Sequence, residues 1–173
     1  VLKSPDLAPY SAMKLVEREL GPHHISADIG CHLFSILPPF NLGNTTMGYG
    51  LGAAGASAFN PPLAGSERSP KRAIAVMGDG GFWHNGLTSG IANAVFNKSN
   101  NLTLVIDNNY TAATGGQDIL SSRAGNRTRS TWHPIEKAVR GVGVEWVKTI
   151  RRTYDVAGMR TAIREALTTK QPG

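Results

Sequence analysis

Hydrophobic residues along this chain fall into two rhythms, and Gly, Pro and Asn mark where one gives way to the other. Between Pro9 and Leu20, the positions Ala12, Leu15, Val16 and Leu20 keep a rough spacing of three to four, the period of a helix with one buried face. Gly21-Pro22 ends it. His24–Asp28 reads as a short strand, and the Pro- and Gly-rich stretch Gly30–Asn44 as a loop placed to line a site. Thr46–Phe59, dense in Gly and Ala, reads as a helix that can approach its neighbours closely. Asn60–Lys71 is a turn-rich connector.

Arg72–Met77 and Leu102–Ile106 are continuous apolar runs with β-branched residues, the pattern of strands covered on both faces. Asn85–Asn97 supplies a helix between them. Tyr110–Ser130 is a long loop, of a length that in compact domains usually serves a function. His133–Arg140 reads as a helix with Pro134 in its first turn, Glu145–Ile150 as a strand and Val156–Leu167 as a closing amphipathic helix. This alternation predicts an α/β fold, a parallel sheet with helices on both faces. No internal repeat or low-complexity segment interrupts it.

Two strand ends carry candidate chemistry. The first apolar run ends in Gly78-Asp79-Gly80-Gly81, and the second in Asp107-Asn108-Asn109. In open parallel sheets ligands bind just beyond the carboxyl ends of the strands. Glycines there let the backbone approach a phosphate and take conformations closed to other residues. A helix beginning near Phe82–Asn85 offers free N–H groups and a positive dipole end to an anion. Asp79, Asn108 and a backbone carbonyl just beyond supply the hard oxygen donors that Mg²⁺ takes together with phosphate and water. Helix capping for Asp79 and turn formation for Asn108 and Asn109 are the plainer readings of each residue alone.

Composition narrows the class. The chain has 173 residues, 40% of them hydrophobic and 17% charged, which suits one globular domain over 1–173 with a real core. No apolar run reaches the roughly 18–20 residues of a membrane span, and no cationic signal segment opens the chain. Val1 at the start and Gly173 at the end suggest a fragment of a longer polypeptide. The single cysteine, Cys31, allows no internal disulfide and points to the cytoplasm. It is also too few thiolates for an iron–sulfur cluster.

The net charge of +6 is lopsided, −1 over residues 1–121 and +7 over 122–173. That describes a basic outer face, or a surface for an acidic partner or anionic substrate. No nucleic-acid-binding motif accompanies it.

Beyond the two strand ends, Ile29-Gly30-Cys31-His32, Pro38-Pro39-Phe40, Thr45-Thr46-Met47-Gly48 and Thr114-Gly115-Gly116-Gln117 extend the pattern. Together these segments resemble the diphosphate-binding, C-terminal-type thiamine diphosphate (ThDP) domain of 2-oxoacid:ferredoxin oxidoreductases, most closely the indolepyruvate (arylpyruvate) branch. The resemblance implies a ThDP-binding fold. Asp79, Asn108 and the Tyr110 carbonyl would hold Mg²⁺, with Asn109 the alternative to Asn108. Cys31, His32, Met47, Gly48, Gly78, Gly80, Gly81, Phe82 and Thr114 would contact the cofactor. Met47 would prop ThDP in its bent form, Gln117 would share the covering loop with Thr114, and His84 is a further residue near the helix start.

The implied reaction is oxidative decarboxylation of a 2-oxo acid such as indolepyruvate to acyl-CoA, with electrons passing to ferredoxin. Its cofactors are ThDP and Mg²⁺, with iron–sulfur clusters on another domain or subunit. The glutamate that activates the pyrimidine ring is expected on a separate pyrimidine-binding domain, so the chain alone is expected to be inactive and to work in an oligomer. A non-oxidative ThDP decarboxylase or carboligase module and a catalytically silent assembly module are the alternatives.

Overall fold

The computed structural model describes residues 7–59, 71–123, 132–152 and 154–169. Four strands, β1 (Ile25–Ala27), β2 (Thr45–Thr46), β3 (Ile74–Gly78) and β4 (Leu102–Ile106), form one sheet in the order β2-β1-β3-β4. All three pairings are parallel. The chain runs from β1 outward to β2, then crosses back through helix α2 (Gly52–Ala58) to β3 on the other side of β1. The order therefore reverses between β1 and β3, the crevice where open α/β sheets bind ligands.

Side chains of β3 alternate between two cores, which is why its sequence is apolar throughout. Ile74 and Val76 pack with Ile25, Leu102 and the apolar faces of α1 (Leu7–Leu20) and α6 (Val156–Thr168). Ala73, Ala75 and Met77 face Ala53 and Ala56 of α2 together with Phe82 and Ile91. The sheet thus has helices on both faces, as its sequence predicts.

Helix boundaries follow local chemistry. Gly21 takes φ +76° just beyond α1, the left-handed stop that glycine permits. Asp155 caps α6 by accepting the Gly158 N–H at 2.8 Å. Pro134 is the N-cap of α5 (Ile135–Gly141) rather than part of its first turn.

Three expectations are corrected. Thr45–Thr46 pairs with β1 as an edge strand, so the Gly/Ala helix begins only at Gly52. The helix after β3 begins at Asp79, not near Phe82–Asn85. A turn α3 (Asp79–Gly81) leads into an 11-residue π-helix, Phe82–Ala92, and ends as α4 (Asn93–Phe96). Glu145–Ile150 forms no strand. Its alternation serves packing instead: Trp146 and Ile150 enter one core, Val144 and Val147 the other. The connector 60–70 and residues 124–130 of the long loop lie outside the described residues. Within the Gly30–Asn44 loop, Cys31–Ile36 coil into a 3₁₀ helix.

At the end of the sheet away from the crevice, Arg72 is buried. Its guanidinium donates to Asn100 O at 3.1 Å, Asn101 O at 3.2 Å and Ala166 O in the last turn of α6. Burial lowers its pKa below the ordinary arginine value.

Candidate functional site

Asp79 and the Asp107–Asn109 turn meet where the sequence places them, at the carboxyl ends of adjacent strands. The Asp79 carboxylate is buried. One oxygen accepts the Gly80 N–H at 2.8 Å; the other accepts the N–H groups of Asn108 at 3.0 Å and Asn109 at 2.6 Å. This carboxylate therefore ties the start of the helix to the end of β4. Asn109 sits at φ +71°, a conformation that asparagine tolerates. The turn tightens further through the Asn109 N–H to Asp107 Oδ1 at 3.2 Å and the Tyr110 N–H to Asn108 Oδ1 at 3.3 Å.

Burial, reinforced by the Asp107 carboxylate beside it, pushes Asp79 up to about 7 from 3.8; the Gly80 and Asn109 N–H groups pull it partly back. The folded value exceeds the unfolded one, so the fold favours the protonated form. Asp79's contribution to stability is fully present below about pH 4 and is lost as pH rises through about 7. A divalent cation bound at Asp79 would compete with that proton. Added Mg²⁺ is therefore expected to raise the melting temperature more at about pH 8 than at about pH 5.5; an equal rise at both would contradict cation–proton competition at Asp79.

The glycines of the turn act by lacking a side chain, which corrects the expectation of unusual conformations. Gly78 is extended (φ −81°, ψ 163°) and Gly81 helical (φ −63°, ψ −39°). A Cβ on Gly80 would fall on the Tyr49 hydroxyl and the Thr111 methyl, and one on Gly81 on Asp28 Oδ2. Gly81→Ala has no backbone objection, so its effect isolates this contact. It is expected to cost about 1–3 kcal/mol by overpacking, read as a lower melting temperature; a neutral result would show that Asp28 yields freely.

The remaining predicted residues distribute unevenly. His32 is buried, while Cys31, first residue of the 3₁₀ helix, is exposed. Met47 and Gly48 lie on the exposed loop between β2 and α2, the Met47 N–H bonded to Ala27 O at 3.0 Å. Phe82 is wholly buried against Trp83, and its N–H is bonded to Asp79 O. Its ring packs into the core. Thr114 and Gln117 hydrogen-bond to each other at 2.7 Å in a turn with Gly115 at φ +111° and Gly116 at φ +77°, closed by the Thr111–Gln117 bridge. Tyr110 is exposed. His84 is exposed and stands 5.1 Å, ring to ring, from Tyr49.

Four residues of the site were not singled out from sequence. Asp28, fully buried at the end of β1, accepts the Gly50 N–H at 3.0 Å and lies against His32. The strand-end rule that picks out Asp79 applies equally to Asp28. Tyr49 stands beside both carboxylates, and burial, then Asp28 and Asp79, raise its pKa. Ser122 donates to Asn109 O at 2.5 Å, and Ser121 accepts from Trp83 Nε1 at 2.9 Å, buttressing the turn from a distant part of the loop. Nothing in the sequence around these serines marks that contact.

Among the described residues no cluster of three or more His, Cys, Asp or Glu is arranged to hold a metal. The Asp79 carboxylate and the Asn108 side-chain oxygen are hard oxygen donors at neighbouring strand ends. No helix among the described residues is long and apolar enough to cross a membrane.

Residues 28–173 match the family "Thiamine pyrophosphate enzyme, C-terminal TPP binding domain". The match leaves out α1, which nonetheless completes one core. The chain is similar to indolepyruvate oxidoreductase subunit IorA of Thermococcus kodakarensis, at 32% identity over 88% of this chain and 25% of that protein. The same subunit of Pyrococcus horikoshii is 35% identical over 82% and 23%, and that of Archaeoglobus fulgidus 30% identical over 94% and 25%. The chain thus spans about a quarter of the length of these relatives. On the matched span and the strand-end geometry together, this chain belongs to the thiamine pyrophosphate enzyme family, as its C-terminal, TPP-binding domain.

Proposed function

We propose that this chain is the Mg²⁺–ThDP-binding module of an enzyme that oxidatively decarboxylates arylpyruvates such as indolepyruvate, forming acyl-CoA and passing electrons to ferredoxin. The observation that carries this reading is Asp79: a carboxylate raised by its burial and then by Asp107, joining the β3 and β4 ends in a chain whose relatives are named indolepyruvate oxidoreductase subunits. A divalent cation would neutralise that paired charge. Asp79 and Asn108, or Asn109 in its place, with the Tyr110 carbonyl, would hold the cation, while the backbone of Gly78, Gly80 and Gly81 would meet the diphosphate.

When bound, ThDP supplies the carbanion and electron sink that decarboxylation needs. This chain's residues bind and orient it. Met47, exposed over Gly55 of α2, provides an apolar edge, and the exposed Cys31 another contact. Iron–sulfur clusters, the glutamate facing the pyrimidine and the arylpyruvate pocket belong to other domains or subunits, reached through an oligomer in the cytoplasm. The basic second half of the chain suits docking of an acidic electron acceptor.

The test is calorimetry on the full-length protein with ThDP, with and without Mg²⁺, followed by turnover of indolepyruvate with CoA and a one-electron acceptor. Mg²⁺-dependent binding and acceptor reduction are expected. Carbon dioxide release without acceptor reduction would favour a non-oxidative decarboxylase, and absence of Mg²⁺-dependent binding would refute the module's assignment.

A further inference from the structure

Asp28 has a job that neither family membership nor the metal site assigns. Its side chain is wholly buried, which exacts a large desolvation cost from a carboxylate unless neighbours compensate. Its backbone is fixed, the N–H bonded to Val76 O at 3.0 Å across the β1–β3 crevice. Oδ2 accepts the Gly50 N–H at 3.0 Å, at a residue held at φ +79° beside the Gly81 carbonyl. Oδ1 lies against His32 Nε2. Nε2 also lies 3.0 Å from the Asp28 carbonyl oxygen, and Oδ1 has no other hydrogen-bond partner.

Both groups beside Nε2 are acceptors, so Nε2 must carry the ring's inner proton. The opposite edge of the imidazole, Nδ1 and Cε1, then faces the side-chain-free positions of Gly30 and Gly78. Gly78 immediately precedes Asp79.

We propose that Asp28 is a positioning residue of the diphosphate cleft. It locks His32 with Nε2 inward and the Nδ1 edge turned to the Gly30–Gly78 backbone, and the same carboxylate fixes the Gly50 end of the Met47–Gly50 loop. A carboxylate behind an imidazole sets its tautomer and orientation. The Nδ1–Cε1 edge is thereby held toward Gly78 at the cleft. One buried side chain would thereby align two walls of the site that the chain builds from separate segments. This inference rests on the ThDP reading above.

The experiment uses full-length protein labelled with ¹⁵N-histidine. Its two-bond ¹H–¹⁵N spectrum is recorded for the wild type, Asp28→Asn and His32→Gln, the last identifying the His32 signals. Wild-type His32 is expected to carry its proton on Nε2, and Asp28→Asn, which keeps the shape and an acceptor for Gly50, to change that signature. A bare Nε2 in the wild type overturns the proposal without any variant. In calorimetry with Mg²⁺–ThDP, each single variant is expected to lose about 10- to 100-fold in affinity, as when an orienting carboxylate is removed from behind a histidine. The double variant should lose no more than either single one.

Additive losses, or unchanged His32 nitrogens in Asp28→Asn, would overturn it. Failure of the wild type to bind Mg²⁺–ThDP would instead refute the underlying reading, while the nitrogen signature would still decide whether Asp28 sets the ring.

Discussion

Asp79→Ala is expected to abolish Mg²⁺-dependent ThDP binding while the chain remains folded. The carboxylate would be the only charged ligand in the donor set of the cleft, so its removal leaves the cation with neutral oxygens alone. Truncating one member of a buried charge pair costs about 2–5 kcal/mol, a loss of roughly 30-fold to a few thousand-fold in affinity. Alanine also strips the acceptor from the N–H groups of Gly80, Asn108 and Asn109, which loosens the turn after β4.

Asp79→Asn separates these effects. The amide retains an acceptor oxygen and removes the repulsion with Asp107, so it is expected to keep or raise the melting temperature without metal, yet to lose the response to Mg²⁺. Calorimetric titration with ThDP, with and without Mg²⁺, reads the first effect, and thermal unfolding the second. Wild-type affinity in either variant would remove Asp79 from the metal site.

Arg72→Ala is expected to have the largest effect on stability. The guanidinium satisfies carbonyls at the start of β4 and in the last turn of α6, whose dipole end favours a cation. Alanine would leave three acceptors buried without their donor and open a void as well. Hydrogen bonds to charged groups are worth about 1.5–3 kcal/mol each, and these are not additive, so a total of about 3–5 kcal/mol follows. For a protein of this size that lowers the melting temperature by roughly 10 °C. Arg72→Lys should recover only part of the loss, because a single ammonium does not span the fork's directions. A fall of under about 2 °C for the alanine variant would show the carbonyls to be satisfied by water.

Local sequence accounted for elements whose ends carry strong punctuation. Leu102–Ile106 forms a strand with the predicted bounds, and α6 differs from expectation by one residue. The strand lies between Asn101 and Asp107, and the helix opens at its Asp155 cap. The misread segments are those where tertiary demand overrides the local pattern. Thr45–Thr46 becomes strand because β1 has an open edge. Residues 145–150 alternate as a strand would, but feed two separate cores.

The site divides the same way. Asp79 and the Asn108 turn were readable because strand-end position is a topological fact visible in sequence. Asp28 obeys the same rule, yet it is followed by the Ile29–His32 segment, which drew attention to Cys31 and His32. Ser121 and Ser122 were unreadable, since they reach Trp83 and the Asn109 turn only through a loop closure that no periodicity encodes. Phe82, placed near the cofactor by its proximity to Asp79 in sequence, has its ring turned into the core.

The two cores flanking β3 have a further consequence for how this domain tolerates change. On one face the sheet presents Ile74 and Val76; on the other Ala73, Ala75 and Met77 meet the alanines and glycines of α2. The first face is filled by bulk and the second by closeness. Substitutions should therefore be punished in opposite senses on alternate residues of a single strand: shrinkage at 74 and 76, which empties space, and enlargement at 73 and 75, which drives α2 off the sheet. Because α2 follows the Gly50 end of the Met47–Gly50 loop, an added methylene on the small-residue face would be transmitted to the mouth of the crevice. A methylene lost from the other face would be absorbed in the interior. Evolutionary drift in this domain would thus be held against loss of volume on the α1–α6 side and against gain of volume on the side that carries the loop.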